Sequence, residues 1–303
     1  MGNHVLALGG INVDYVIHTK RLPKLGESIF GDQFAMNCGG KASNQAVAVA
    51  KQGCQTKMFG AVGKDVAGDM AIRNMENHGI DCEAVLRMDA PTGAAMITVC
   101  GGDNHIILDV GANDLITPAC IREREDLFQW ADAVVMQYEI PIESVLEAAK
   151  LARKNNCFVI LNPAPVKEVP MELYRYVDLV IPNEFEASLI TGIEVTDRET
   201  AAQAINKLME MGCKDALITM GKQGCAYRFN GAITFADAHV VKAVDSTAAG
   251  DSFIGGLCSS LCEGKTMREA VTYATAVAAI TVSRAGASVS IPTRAEVEEA
   301  FFK

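Results

Sequence analysis

Between Val244 and Phe253 the chain reads Val-Asp-Ser-Thr-Ala-Ala-Gly-Asp-Ser-Phe, which sets a carboxylate, Asp251, at the start of an expected helix directly after a run of small residues. Small residues let a backbone approach a ligand closely, the first N–H groups of a helix have no partner of their own, and the helix dipole adds partial positive charge there. A phosphate group suits such a place. An aspartate beside it is positioned to take a proton from whatever attacks that phosphate. The plainer role for Asp251 is a cap on the helix running to about Cys262. Capping has no need of the preceding Ala248-Ala249-Gly250, so proton transfer is the expectation carried forward.

Other segments carry polar groups in arrangements that suit a small ligand. Gly39-Gly40-Lys41-Ala42-Ser43-Asn44-Gln45 precedes an Ala/Val-rich helix, so two glycines and a helix N-terminus meet a lysine and an asparagine. Gly-Gly before a helix is also common punctuation. Gly9-Gly10-Ile11-Asn12-Val13-Asp14 leaves the first strand with Asn12 and Asp14 on one side of an extended segment, where an amide and a carboxylate can hold two neighbouring hydroxyls. Asp14 taken singly is equally a turn residue. Gln137-Tyr138-Glu139, Asn162-Pro163-Ala164-Pro165 and Pro182-Asn183-Glu184-Phe185-Glu186 follow three consecutive strands, so polar residues gather at one sheet edge. Glu186 suits either a helix N-terminus or an outer magnesium ligand acting through water.

Rival motifs fail on particular positions. Gly60-Ala-Val-Gly63-Lys64-Asp65 resembles part of a P-loop, but position 58 is Met and Asp65 stands where Ser or Thr would bind magnesium. Gly9-Gly10 lacks the third glycine of a dinucleotide loop. The five histidines sit apart, and no Gly-x-Ser-x-Gly elbow occurs. Dehydrogenase, hydrolase and metalloenzyme readings lose their anchors.

The elements that must position these residues alternate. Strand-like runs at Val5–Leu8, Lys57–Ala61, Ala133–Met136, Phe158–Leu161, Leu179–Ile181 and Ala216–Thr219 are interleaved with helical patterns at Ser43–Lys51, Val66–His78, Ile142–Lys154, Phe185–Thr191 and Thr200–Met211. Short apolar strands separated by amphipathic helices predict an α/β fold, a Rossmann-like, mostly parallel sheet flanked by helices, with ligands beyond the carboxyl ends of the strands. Helices near Ala249–Cys262, Met267–Val282 and Arg294–Phe302 close the chain. Val13–Met36 and Pro91–Val110 break the rhythm as shorter strands with turns at Leu25-Gly26 and Gly101-Gly102-Asp103. These read as hairpins, either a small β-rich lid over the strand ends or ordinary surface loops.

At 303 residues and 50% hydrophobic content, the expectation is a single α/β domain over 1–303 with the lid as an appendage. A net charge of −10 argues against nucleic acid as a partner. Ten cysteines without a Cys-x-x-Cys pair fit neither a zinc site nor a disulfide framework. With no leader-like start and no long apolar run, neither secretion nor a membrane span is expected, and the cytoplasm is the predicted location.

Taken together, Gly10-Ile11-Asn12-Val13-Asp14, Gly39-Gly40-Lys41 with Asn44-Gln45-Ala46-Val47, Gly111-Ala112-Asn113, Met136-Gln137 with Glu139, Leu161 to Pro165, Pro182-Asn183-Glu184 and Asp245 through Asp251 resemble, in order and over essentially the whole chain, the ribokinase-like carbohydrate kinases. The resemblance implies ATP-dependent phosphorylation of the 5-hydroxyl of ribose, with Asp251 as general base and the N–H groups around Ala248, Ala249, Gly250 and Asp251 stabilising the transferred phosphoryl group. It implies sugar contacts at Asn12, Asp14, Gly39, Gly40, Lys41, Asn44 and Glu139. Nucleotide contacts would come from Asn183, Glu186, Thr219, Gly221, Gly224, Gly250 and Thr275. Asp245, Thr247, Thr281, Arg284, Gly286 and Ser290 fall where the family holds a monovalent cation such as K+, Mg2+ would be bound through water at Glu186, and a homodimer through the lid is implied. Ala42 and Thr275 depart from the Gly and His common at those positions. A kinase for 2-deoxyribose or a nucleoside, and a non-catalytic sugar sensor on the same fold, are the alternatives.

Overall fold

The computed structural model describes residues 2–101 and 103–303, so the Gly102 of the expected Gly101-Gly102-Asp103 turn lies outside the described residues. In chain order the strands are β1 (His4–Leu8), β2 (Asn12–Thr19), β3 (Asp32–Gly39), β4 (Gln55–Phe59), β5 (Ala61–Gly63), β6 (Leu86–Met88), β7 (Gly93–Cys100), β8 (Asp103–Asp109), β9 (Ala133–Met136), β10 (Phe158–Leu161), β11 (Leu179–Val180), β12 (Asp215–Thr219), β13 (Cys225–Arg228) and β14 (Ile233–Ala236). The helices are α1 (Lys41–Lys51), α2 (Val66–Asn77), α3 (Pro118–Arg122), α4 (Glu125–Trp130), α5 (Ile142–Lys154), α6 (Glu184–Thr191), α7 (Arg198–Glu210), α8 (Ala249–Cys262), α9 (Met267–Val282) and α10 (Arg294–Phe301).

Strands β9 (Ala-Val-Val-Met) and β10 (Phe-Val-Ile-Leu) have no polar alternation because helices cover the sheet on both sides. They lie at the centre of an eight-stranded sheet ordered β14-β13-β12-β11-β10-β9-β1-β4. Pairing is parallel from β4 to β12 and antiparallel at β13 and β14. One face packs the apolar sides of α5 and α7 around Val145, Ala149, Ile205 and Leu208, and the other packs α8 and α9 around Phe253, Leu257, Val271 and Ala274. The β13–β14 hairpin is absent from the sequence reading, since two four-residue strands give too short a pattern to separate from loop. α6, α9 and α10 each start in a capping box, pairing Asn183 with Glu186, Thr266 with Glu269 and Thr293 with Glu296.

The lid is a second sheet, ordered β3-β2-β7-β8. Its first segment begins at Asn12 and ends at Gly39, slightly wider than the expected Val13–Met36. The hairpin reading needs one correction. β7–β8 is a hairpin, but β2 and β3 pair antiparallel across the long 20–31 connection, and the two segments join through parallel β2 and β7. Two antiparallel pairs set side by side make a four-stranded surface, which a pair of separate hairpins would not. Seven of the ten cysteines are buried and all are free, as small apolar packing residues would be. Among the described residues no helix is long and apolar enough to cross a membrane.

Candidate active site

The carboxyl ends of the parallel strands β1, β9, β10 and β12 all point to one edge of the large sheet, and the polar residues that follow them meet the N-termini of α1 and α8 there. Ala248 takes a left-handed conformation (φ 59°, ψ 10°) and turns the chain into α8, which has no side-chain cap. Ala249 donates its N–H to the Ser246 carbonyl at 3.2 Å, while the N–H groups of Gly250 and Asp251 have no partner among the described residues. The carboxylate of Asp251 therefore does not cap its helix. It accepts from Gln45 Nε2 at 2.9 Å and from Asn44 Nδ2 at 3.3 Å, and is only 8% exposed. Gln45 is itself held by Gln137 Nε2 and reaches Asn162 Oδ1 at 3.2 Å, and Asn162 donates to the Ile181 carbonyl at 2.9 Å. A buried amide relay thus fixes one carboxylate oxygen of Asp251 from behind.

Lys41, Asn162, Asn183, Glu186, Thr219 and the Ala248–Asp251 turn line one cleft. A roomier cavity of about 900 Å³ lies at the other end of α8, lined by Glu263, Arg268, Tyr273 and Arg294, and contains none of the expected site residues. Chemistry, rather than volume, singles out the smaller cleft. Burial by itself would pull the Lys41 ammonium down, but the surrounding Asp251, Glu139 and Glu186 carboxylates outweigh it and hold the lysine above its ordinary range. Burial raises the Glu139 carboxyl to about 7, although Lys41 opposes it and the Lys41 backbone N–H donates to Glu139 Oε2 at 2.8 Å. Burial likewise raises Asp14 to about 6. The glycine loop packs on these groups: a Cβ at Gly39 would lie 2.6 Å from the Asp14 carboxylate, and one at Gly40 would lie 2.6 Å from the Asn12 backbone nitrogen and the Gly10 carbonyl. Gly40 also has φ +91°, so both space and backbone conformation demand glycine there.

This edge holds a general-base candidate, two helix N–H groups unpartnered among the described residues, a lysine and a set of carboxylates and amides, a combination suited to phosphoryl transfer onto a polyol. Residues 3–294 match the model of the pfkB family carbohydrate kinases. The chain belongs to that family. The ribokinase of Haemophilus influenzae is 36% identical over 301 residues, spanning 99% of this chain and 98% of its own length. A ribokinase structure from Thermotoga maritima aligns over 100% of both chains with a TM-score of 0.90 and 35% identity. The structure of an Arabidopsis thaliana ribokinase complexed with ribose and ATP gives a TM-score of 0.94 at 30% identity, covering 99% of this chain and 98% of that one.

In this pfkB-family chain most of the expected residues converge, and some do not. Asp245 Oδ1 accepts from the backbone and hydroxyl of Thr247 at 2.9 and 2.7 Å, and Oδ2 accepts from Gly286 N at 2.9 Å. Despite burial, these neutral donors hold its carboxyl below the usual range, and no cationic side chain pairs with it among the described residues. Arg284 turns instead to Glu296 at 2.7 Å, and the Thr281 and Ser290 hydroxyls donate to the Val277 and Ala287 carbonyls. Gly221 and Gly224 flank the turn between β12 and β13. Thr275 donates to the Thr272 carbonyl of its own helix at 2.8 Å and does not line the cleft. Asp65, which spoiled the P-loop reading, caps α2 through Gly68 N at 2.7 Å. Gln45, Gln137, Asn162 and Asn113 stand inside motifs legible in the sequence, yet their role in holding Asp251 and Asn12 depends on contacts between segments roughly a hundred residues or more apart.

Proposed function

We propose that this protein, acting as one domain over 1–303 with a lid from about 13–36 and 91–110, transfers the γ-phosphoryl group of ATP to the 5-hydroxyl of D-ribose. The observation that carries the reading is the placement of the buried Asp251 carboxylate one residue beyond the unpartnered Gly250 N–H, with Gln45 holding it from behind. In this reading Asp251 accepts the proton of the attacking hydroxyl, and the Gly250 and Asp251 N–H groups stabilise the transferring phosphoryl charge. Asn12, Asp14, Gly39, Gly40, Lys41, Asn44 and Glu139 hold the sugar. Asn44 Oδ1 is buried without a partner among the described residues, as an acceptor awaiting a hydroxyl would be. Asn183, Glu186, Thr219, Gly221, Gly224 and Gly250 serve the nucleotide, with Thr275 on the adenine side.

The donor chemistry suits both implied cations. Glu186 Oε2 accepts from Asn183 N at 2.9 Å in the capping box of α6 while the side chain lines the cleft, so its other oxygen fits Mg2+ held through water and ATP. Bound there, Mg2+ would neutralise phosphate charge. Asp245, an ionised carboxylate with only neutral partners beside the anion turn, suits K+ together with backbone oxygens near Thr247, Thr281, Arg284, Gly286 and Ser290. A cytoplasmic homodimer joined through the lid completes the reading.

The test is a coupled ADP-release assay over D-ribose, 2-deoxy-D-ribose, hexoses and nucleosides. D-ribose should be preferred over 2-deoxy-D-ribose by about ten- to a hundredfold in kcat/KM, because losing the 2-hydroxyl leaves a buried polar group unpaired. Equal or better use of 2-deoxy-D-ribose would move the assignment to a different furanose kinase.

A further inference from the structure

Asn113 lies in the 3-10 turn Gly111–Leu115, where the chain returns from the lid, and is 1% exposed. Its side chain is tied twice to the backbone of Ile11. Oδ1 accepts from Ile11 N at 3.0 Å, and Nδ2 donates to Ile11 O at 3.1 Å. One of these partners is a donor and the other an acceptor, so only one orientation of the Asn113 amide satisfies both. That orientation has a consequence one residue along. Asn113 Nδ2 also donates to Asn12 Oδ1 at 2.8 Å, which engages the Asn12 oxygen and leaves its NH2 as the unengaged end of the amide. Nδ2 of Asn12 has no hydrogen-bond partner among the described residues and is not sealed from solvent. Gly93 preserves the pair, since a Cβ there would collide with both Asn12 Oδ1 and Asn113 Nδ2.

We propose that Asn113 is a positioning residue for sugar choice: by fixing the Asn12 amide with its NH2 free, it creates the donor that reads the 2-hydroxyl. The inference rests on the proposed role of Asn12 as a sugar contact. Asn113 itself touches no substrate and acts through the backbone of Ile11 and the side chain of Asn12. An isolated Asn12 would present either end of its amide. Held by Asn113, it presents a donor only, and a sugar without a hydroxyl at that point leaves this donor unpaired.

Steady-state kinetics with D-ribose and 2-deoxy-D-ribose on the parent, Asn113→Asp, Asn12→Ala and the double variant test this. In Asn113→Asp a carboxylate oxygen replaces the NH2 that served both Ile11 O and Asn12 Oδ1, so the Asn12 amide turns over and its oxygen faces a 2-hydroxyl whose single proton is already donated to the Asp14 carboxylate. The ribose-to-deoxyribose ratio of kcat/KM should fall by about five- to tenfold, through KM for ribose, with the 2-deoxyribose constants nearly unchanged. In the Asn12→Ala background the same change should leave the ratio where it is. A purely structural role would lower both sugars alike, and an unchanged ratio overturns the inference while leaving the ribose preference of the parent intact. A parent without ribose preference removes the reading on which the inference rests and the inference with it. Should Asn113→Asp fail to fold, Asn113→Ala decides: with Asn12 free to present either end of its amide, the ratio should fall by about two- to fivefold in the parent background and not in the Asn12→Ala background, and an unchanged ratio overturns the inference.

Discussion

Replacing Asp251 by asparagine separates proton transfer from binding. The change is nearly isosteric, and its cost to the fold follows from the two groups that hold the carboxylate. Gln45 Nε2, at 2.9 Å, still finds an oxygen if the new amide places Oδ1 there. The new NH2 then faces Asn44 Nδ2 at 3.3 Å, donor against donor. Asn44 can relieve this by turning over, so that its Oδ1, buried without a partner among the described residues, accepts the new N–H and its NH2 faces the sugar, whose hydroxyl then accepts instead of donating. Two charge-assisted hydrogen bonds become two neutral ones, a loss of about 1–3 kcal/mol that is offset by no longer burying a charge. Stability should therefore stay within about 1 kcal/mol of the parent. Turnover should fall by about 10²–10⁴, or roughly 2.7–5.5 kcal/mol in the barrier, the usual contribution of a positioned general base. Coupled ADP release with ribose, with kcat and KM separated and thermal unfolding run in parallel, is the assay. KM for ribose should hold within about threefold. Near-parental kcat in a folded Asp251→Asn enzyme would remove Asp251 from the chemistry.

Other expectations concern the surroundings of the site. Activity at constant ionic strength should rise when Na+ is replaced by K+, and Asp245→Ala should abolish the difference; equal rates in the two salts with the parent would count against a cation at Asp245. Met36, Met96 and Ile107 lie in one register row across the lid and are exposed, Ile107 at 74%, so sedimentation should show a homodimer at micromolar concentration and Ile107→Arg should weaken it. A parent that sediments only as monomer contradicts the lid interface. Burial raises Glu139 to about 7 and Asp14 to about 6, so the folded protein binds their protons more tightly than the unfolded chain does. Their contribution to stability is full below the ordinary carboxyl range and is lost as pH rises through about 6 to 7; the apo protein should lose part of its stability between pH 5 and 7 from these two groups, and Asp14→Asn should flatten that slope. Sugar hydroxyls donate to the ionised form, so KM for ribose should rise as pH falls through about 6, and a flat KM between about pH 5.5 and 7.5 would remove Asp14 from sugar binding.

Local patterns determined the frame of this molecule. Apolar runs such as Ala133–Met136 and Phe158–Leu161 become strands with those same bounds because they are short and continuously apolar, and Ile142–Lys154 and Met267–Val282 become helices with the expected bounds because each carries a helical period. Order along the chain then placed Asn12, Gln137, Asn162 and Thr219 at one sheet edge, since parallel strands joined by helices must bring their carboxyl ends together. From its neighbours alone Asp251 reads as a proton acceptor rather than a cap, but nothing in the local run shows what would hold its carboxylate. Only the folding of α1 against α8 brings Gln45 and Asn44 within hydrogen-bonding distance of that carboxylate and turns it away from its own helix. The lid was legible as strands but not as a sheet, because the parallel pairing of β2 with β7 joins segments some eighty residues apart and leaves no mark in either alone. The orientation of Asn12 is the extreme case. It depends on Asn113, which depends on the backbone of Ile11, and hydrogen bonds of that kind follow from coordinates in space rather than from spacing along the chain.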